Sequence, residues 1–233
     1  MNGENAVKRL HFDCLDSTQD YAKEKRADGV DLVITAVSQT GGKGTKGRSF
    51  SSQTGGVYLS KLTFYEDLAV KNAFKIMIGA AVAVCETLRF YGLKPLIKWP
   101  NDIWVSDKKI CGILIENVLS GDKVRSSVVG IGVNVCNRLP DDLKDIATTM
   151  SLVMENAPAV EEVTRRLISE LHKDRTIDEY RAYIGYLGCT ATLILGDERV
   201  PGRLVSVEED GALVVEMDGK TRRLTAAEVS VRI

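Results

Sequence analysis

The hydrophobic pattern along this chain switches between helix-like and strand-like periods, and the switches lay out its elements. An apolar start, Leu10 to Leu15, meets Asp16-Ser17-Thr18-Gln19, whose side-chain oxygens suit a helix N-cap. The Ala-, Lys- and Glu-rich stretch after it is predicted helical to about Ala27, with Gly29 as its stop. Asp31 to Ser38 is dense in Val, Ile and Thr and reads as a buried strand that runs into Gln39 and a glycine-rich loop, residues 41 to 47. Tyr58 to Phe64 reads as the next strand, and Lys71 to Tyr91, apolar nearly all round and stopped by Gly92, as a core helix. Three strand-like runs follow at hairpin spacing: Leu96 to Val105, Lys109 to Leu119 and Ser126 to Val135. They predict an antiparallel meander beside helices.

Pro158 to Lys173 carries Val160, Val163, Leu167 and Leu171 on one helical face, and a further short helix through Tyr183 leads to Gly185 and Gly188, where a domain boundary fits. From Thr190 to Ile233 short β-branched runs are punctuated by Gly196, Gly202, Gly211 and Gly219, the pattern of a small β-barrel. There is no internal repeat and no low-complexity tract.

Composition narrows the function. A chain of 233 residues holds one sizeable core, or a core and a satellite, without disulfides or metal. Its 31 Lys and Arg against 32 Asp and Glu disfavour a partner recognised through phosphate-backbone charge. Cys14, Cys85, Cys111, Cys136 and Cys189 are scattered through apolar runs without C-x-x-C spacing and read as reduced packing residues. No apolar signal region opens the chain and no stretch approaches the roughly 20 apolar residues of a membrane span, so a cytoplasmic setting is expected.

Four segments carry candidate chemistry. Gly42-Lys43-Gly44-Thr45-Lys46-Gly47-Arg48 packs three glycines and three cations directly after a strand. Glycine lets backbone approach a ligand and the cations neutralise an anion, although the loop matches neither a Walker A nor a dinucleotide fingerprint and alone also fits a solvated turn. Lys98-Trp99-Pro100-Asn101-Asp102 ends one strand in a Pro-restricted bend, and Lys109-Ile110-Cys111-Gly112 opens the next, so a hairpin makes them neighbours. Val129-Gly130-Ile131-Gly132-Val133-Asn134 sets glycines and an amide inside an apolar strand, which marks a bulge or close approach of a ligand.

In this order, together with Asp16-Ser17-Thr18 and Gln39-Thr40, the segments resemble the catalytic domain of biotin protein ligases over nearly the whole chain. Each motif alone is weak; the ordered set is strong. The resemblance implies an α+β fold of class II synthetase type: a mixed or antiparallel sheet flanked by helices in residues 1–186, then an SH3-like barrel in residues 187–233. It implies a biotin site formed by Ser17, Thr18, Gln19, Gln39, Gly42, Lys43, Gly44, Thr45, Lys109, Gly112 and Gly132. Arg48, Asn101 and Asn134 would contact ATP, with Phe50 near the adenine. The substrates would be biotin and ATP with Mg²⁺, and the acceptor a lysine of a biotin carboxyl carrier protein; a homodimer through an exposed strand is compatible with this. The family's loop has the form G-R-G-R-x-G-R, and Thr45 stands where its middle arginine would be.

The chemistry makes these residue types sensible. Joining a carboxylate to the α-phosphorus of ATP brings like charges together, which calls for the cations Lys43, Arg48 and Lys109 rather than a nucleophile. In the second step Asp102 would orient or deprotonate the acceptor amine. His11 and His172 are expected to be ordinary residues. Two other readings stay in play: a lipoate or octanoate ligase or transferase, and a non-catalytic biotin sensor or scaffold. Sequence-specific DNA binding is not expected, since Asp16-Ser17-Thr18 lies so near the first residue that no helix-turn-helix domain precedes it.

Overall fold

Two layers of apolar side chains, one on each face of a large sheet, organise the molecule. The structure is a computed structural model that describes residues 7–226 and 229–232; the first six residues of the expected catalytic domain, and Ile233 at the end of the expected barrel, lie outside the described residues. Strand β1 (Lys8–Leu15) leads into helix α1 (Thr18–Glu24), where Ser17 is the N-cap and its Oγ accepts from the Asp20 amide at 3.3 Å. Then come β2 (Leu32–Gln39), β3 (Gly56–Ala69), α2 (Phe74–Phe90), β4 (Leu96–Lys98), β5 (Asp102–Val105), β6 (Lys108–Ser120) and β7 (Lys123–Asn134). They build a mixed sheet of seven strands in the order β1-β2-β3-β7-β6-β5-β4, parallel at β1–β2 and antiparallel elsewhere. Helices α3 (Met150–Val153), α4 (Val160–Glu170) and α5 (Ile177–Ala182) follow.

Successive side chains of a strand point to opposite faces, so sheet register decides what each face carries. Val57 and Leu59 of β3 line up with Val133 and Ile131 of β7, and Ile131 with Ile113 of β6; with α2, α4 and α5 they form the main core. Leu59, Ile113 and Ile131 are each at most 2% exposed, and burying such a side chain contributes about 1.5–3 kcal/mol. On the other face α1 covers only part of the sheet, through Ala22 against Ile34, Leu62 and Val128.

The run Leu96 to Val105 is not the single strand its composition predicts. It folds into a hairpin of its own, β4 against β5, with Lys98 paired to Asp102 and a turn between them that contains the cis Trp99–Pro100 bond. Pro100 has no N–H to offer a ladder, and the chain reverses there.

The C-terminal segment differs from a barrel as well. Strands β8 (Thr190–Leu195), β9 (Glu198–Val207), β10 (Leu213–Met217), β11 (Lys220–Leu224) and β12 (Val229–Arg232) form an antiparallel sheet in the order β11-β10-β9-β8-β12. Among the described residues β11 and β12 are its two edges and no pairing closes it. The apolar face that a barrel would enclose, Leu193, Leu204, Leu213 and Val215, belongs instead to the main core together with Trp99 and Tyr180. Trp99 Nε1 donates to the Gly211 carbonyl at 3.0 Å across that junction. No described helix is long and apolar enough to cross a membrane.

Candidate active site

The uncovered part of the α1 face is a narrow cleft. Its floor follows the sheet register: Gly132 of β7 pairs with Gly112 of β6, and in the next row Gly130 of β7 pairs with Ser60 of β3 and Leu114 of β6, while Tyr58 and Asp102 flank the first row outside the cleft lining. Three glycines in these rows carry no side chain, so that neighbouring side chains or ligand atoms can approach the backbone itself. The Phe50 ring lies against this strip, and a Cβ at Gly132 would overlap it. Phe50 thus sits over the two glycines expected to meet the biotin ring.

The loop before Phe50 is a tight hairpin. Phe50 N–H donates to the Gly42 carbonyl at 2.8 Å, Gly44 N–H to the Arg48 carbonyl at 2.7 Å, and Lys43 bridges to Ser49. At its tip Lys46 and Gly47 have φ of 56° and 72°, the left-handed region in which glycine is at ease. Lys43, Gly44 and Thr45 thereby line the cleft, while Gly42 is packed beneath Phe50 and Ser52. Arg48 bonds back to the Thr45 carbonyl and hydroxyl at 3.3 and 3.4 Å and lines the adjoining groove, which it shares with Asn101 and Asp102.

A polar chain crosses the cleft wall. The Gln39 side-chain carbonyl accepts from Thr18 N–H at 2.7 Å and Thr18 Oγ at 3.0 Å, and its amide donates to Ser52 Oγ at 2.8 Å. Ser60 Oγ donates to Thr18 Oγ at 2.9 Å, and Gln19 donates to Glu116 at 2.8 Å. Opposite stands Lys109, its Nζ 2.7 Å from Asp102 Oδ1. The Lys109 backbone is held on both sides, its N–H donating to the Ile146 carbonyl and its carbonyl accepting from Thr148, both at 2.9 Å. Asn101 is fixed to Ile113 through its side chain at 2.8 Å. The Cys111 thiol beside it is pushed far above its usual range by burial and stays neutral.

Of the residues singled out in the sequence, Ser17, Thr18, Gln19, Gln39, Lys43, Gly44, Thr45, Phe50, Asn101, Lys109, Gly112 and Gly132 line one cleft. Asn134 does not: two residues beyond Gly132 on the same face of β7, it is buried outside the cleft lining and accepts from Asn137 at 3.1 Å. His11 bonds to Thr35 and His172 to the Ile168 carbonyl, both away from the cleft. Sequence reasoning passed over Ser60, Asp20 and Glu116, and took Gly130 only as part of its glycine segment. A serine in the apolar run Val57 to Leu62 was the available signal for the first.

Comparison with known proteins gives the chain its family. Over 149 residues the chain is 40% identical to the bifunctional ligase/repressor BirA of Bacillus subtilis, a match that covers 61% of this chain and only 46% of that protein. The chain thus spans about half the length of that relative. It is 26% identical over 223 residues to the biotin–[acetyl-CoA-carboxylase] ligase of Mycobacterium tuberculosis, covering 88% of this chain and 82% of the relative. The biotin protein ligase of Aquifex aeolicus, solved in complex with biotin and ATP, superposes with a TM-score of 0.76 at 28% identity, over 97% of this chain and 98% of that one. The model of the biotin/lipoate A/B protein ligase family matches residues 11–134, more than half of the sequence, and the chain belongs to that family.

Proposed function

We propose that this chain converts biotin and ATP to biotinoyl-adenylate and transfers the biotinoyl group to a lysine of a biotin carboxyl carrier protein. The observation that carries the reading is the convergence of Lys43, Lys109 and the Ser17–Thr18–Gln39 chain on one cleft floored by Gly112, Gly130 and Gly132. The glycine strip admits a flat ring against the backbone, where the Phe50 ring lies in this structure, the polar chain offers donors and acceptors to a ureido group, and the ammonium groups meet the carboxylate and the α-phosphate.

In the first step a carboxylate oxygen of biotin attacks the α-phosphorus and pyrophosphate leaves; cations that neutralise both anions lower that barrier. In the second the neutral lysine amine attacks the carbonyl of the mixed anhydride and AMP leaves, with Asp102 orienting the amine or taking its proton. Mg²⁺ would arrive on the nucleotide phosphates, as part of the substrate.

The same reading treats residues 1–186 as the catalytic unit and 187–233 as a smaller unit, and sets the enzyme in the cytoplasm. Incubation with biotin, MgATP and a biotin carboxyl carrier domain tests it. Intact-mass measurement should find one biotinoyl group on one carrier lysine; an unmodified carrier would reject the transfer step.

A further inference from the structure

The leading cation of the glycine loop is held by a carboxylate outside the cleft. Lys43 Nζ lies 2.6 Å from Asp20 Oδ2, and Lys23 Nζ lies 2.7 Å from Asp20 Oδ1. Lys23 continues to Glu116 Oε1 at 3.1 Å, and the other oxygen of Glu116 accepts from Gln19. Two cations and two carboxylates thus alternate from the loop, across α1, to β6. Burial works to raise the Asp20 carboxyl, but the hydrogen bonds from Lys23 and Lys43 outweigh it and hold the group below the usual carboxylate range. Asp20 is therefore ionised at neutral pH.

We propose that Asp20 is a positioning residue, holding Lys43 at the mouth of the cleft where its ammonium meets the anionic end of the substrate. This rests on the reading that the cleft takes a carboxylate and an α-phosphate. Lys43 stands between two glycines on a half-exposed loop, and left alone it would sample many rotamers. An ammonium has three donors, so the one given to Asp20 leaves two for the substrate. Asp20 does not itself line the cleft and acts through Lys43. A partly exposed pair adds little to stability, so its effect falls on substrate binding.

Biotin-dependent ATP–pyrophosphate exchange in a double-mutant cycle tests this, with thermal unfolding as the control for folding. Asp20→Asn raises the KM for biotin about fivefold, the upper range for such a pair, and leaves kcat within about twofold. In a Lys43→Met background the same substitution changes KM by less than about twofold, because the group it acts through is gone. Asp20→Glu, which keeps the charge, returns KM to within about twofold of wild type. An unchanged KM in Asp20→Asn, an equal rise in the Lys43→Met background, or an Asp20→Glu enzyme no better than Asp20→Asn overturns the proposal. Absence of exchange in the wild type would reject the reading of the cleft instead.

Discussion

The two faces of the seven-stranded sheet are made from the same strands and do opposite work. On β7, Val129, Ile131 and Val133 point into the main core while Gly130 and Gly132, the residues between them, form the cleft floor. On β3 the Leu59 side chain packs in the core and Ser60 faces the cleft, and on β6 Ile113 and Gly112 divide the same way, although Leu59, Ile113 and Ile131 also border the cleft. A face that stabilises is filled with branched side chains; a face that binds is left bare, and its uncovered backbone is tolerated because the reverse side is packed so fully. Neighbouring residues on one strand are therefore expected to respond to substitution in different currencies: unfolding free energy on one side, catalysis on the other.

The largest expected effect is on the packed face. Ile131→Ala should destabilise the chain by about 4 kcal/mol in urea unfolding, since Ile131 is 2% exposed at the centre of the core. Its exchange activity per folded molecule should stay near wild type. A loss of less than about 1 kcal/mol would mean that the face repacks and the division is softer than drawn.

Next in size is Lys109→Ala on the open face. Removing the cation set against the developing negative charge should slow adenylation by about 3 kcal/mol or more in transition-state free energy while the urea midpoint stays put. Near-normal biotin-dependent exchange in the folded variant would reject the role given to Lys109. The smallest effect concerns Thr45, which offers a hydroxyl where the family form has an arginine. Thr45→Arg should slow the release of radiolabelled biotinoyl-adenylate roughly tenfold in the absence of carrier, the scale of one charge-assisted hydrogen bond. Equal or faster release would place retention on other groups.

How legible each feature was in the sequence follows from how local its cause is. The glycine loop, the Lys109–Gly112 segment and the N-cap at Ser17 are built by residues adjacent in the chain, and all stood out. The hairpin at Trp99–Pro100 was half legible: the proline announced a bend, but the reversal into a β4–β5 pair depends on contacts with Tyr186 and Tyr180, whose hydroxyls bond Trp99 N–H at 2.5 Å and the Pro100 carbonyl at 2.7 Å. Asp20, Lys23 and Glu116 drew no reading of their own from the sequence, because their meeting requires α1, packed on β3 and β7, to reach Glu116 of β6, 93 residues from Lys23. Phe50 was assigned to the adenine because nothing in its neighbourhood along the chain reveals that the loop turns its ring back onto Gly132. The open C-terminal sheet was missed for the same reason, since turn spacing describes strands and not which surface their apolar face meets.

The most direct test of the central claim, that the open face activates biotin, is ATP–pyrophosphate exchange by the purified chain with biotin, lipoate and octanoate offered separately. The account predicts exchange with biotin alone. Exchange driven by lipoate or octanoate, or none with any of the three acids, would contradict it.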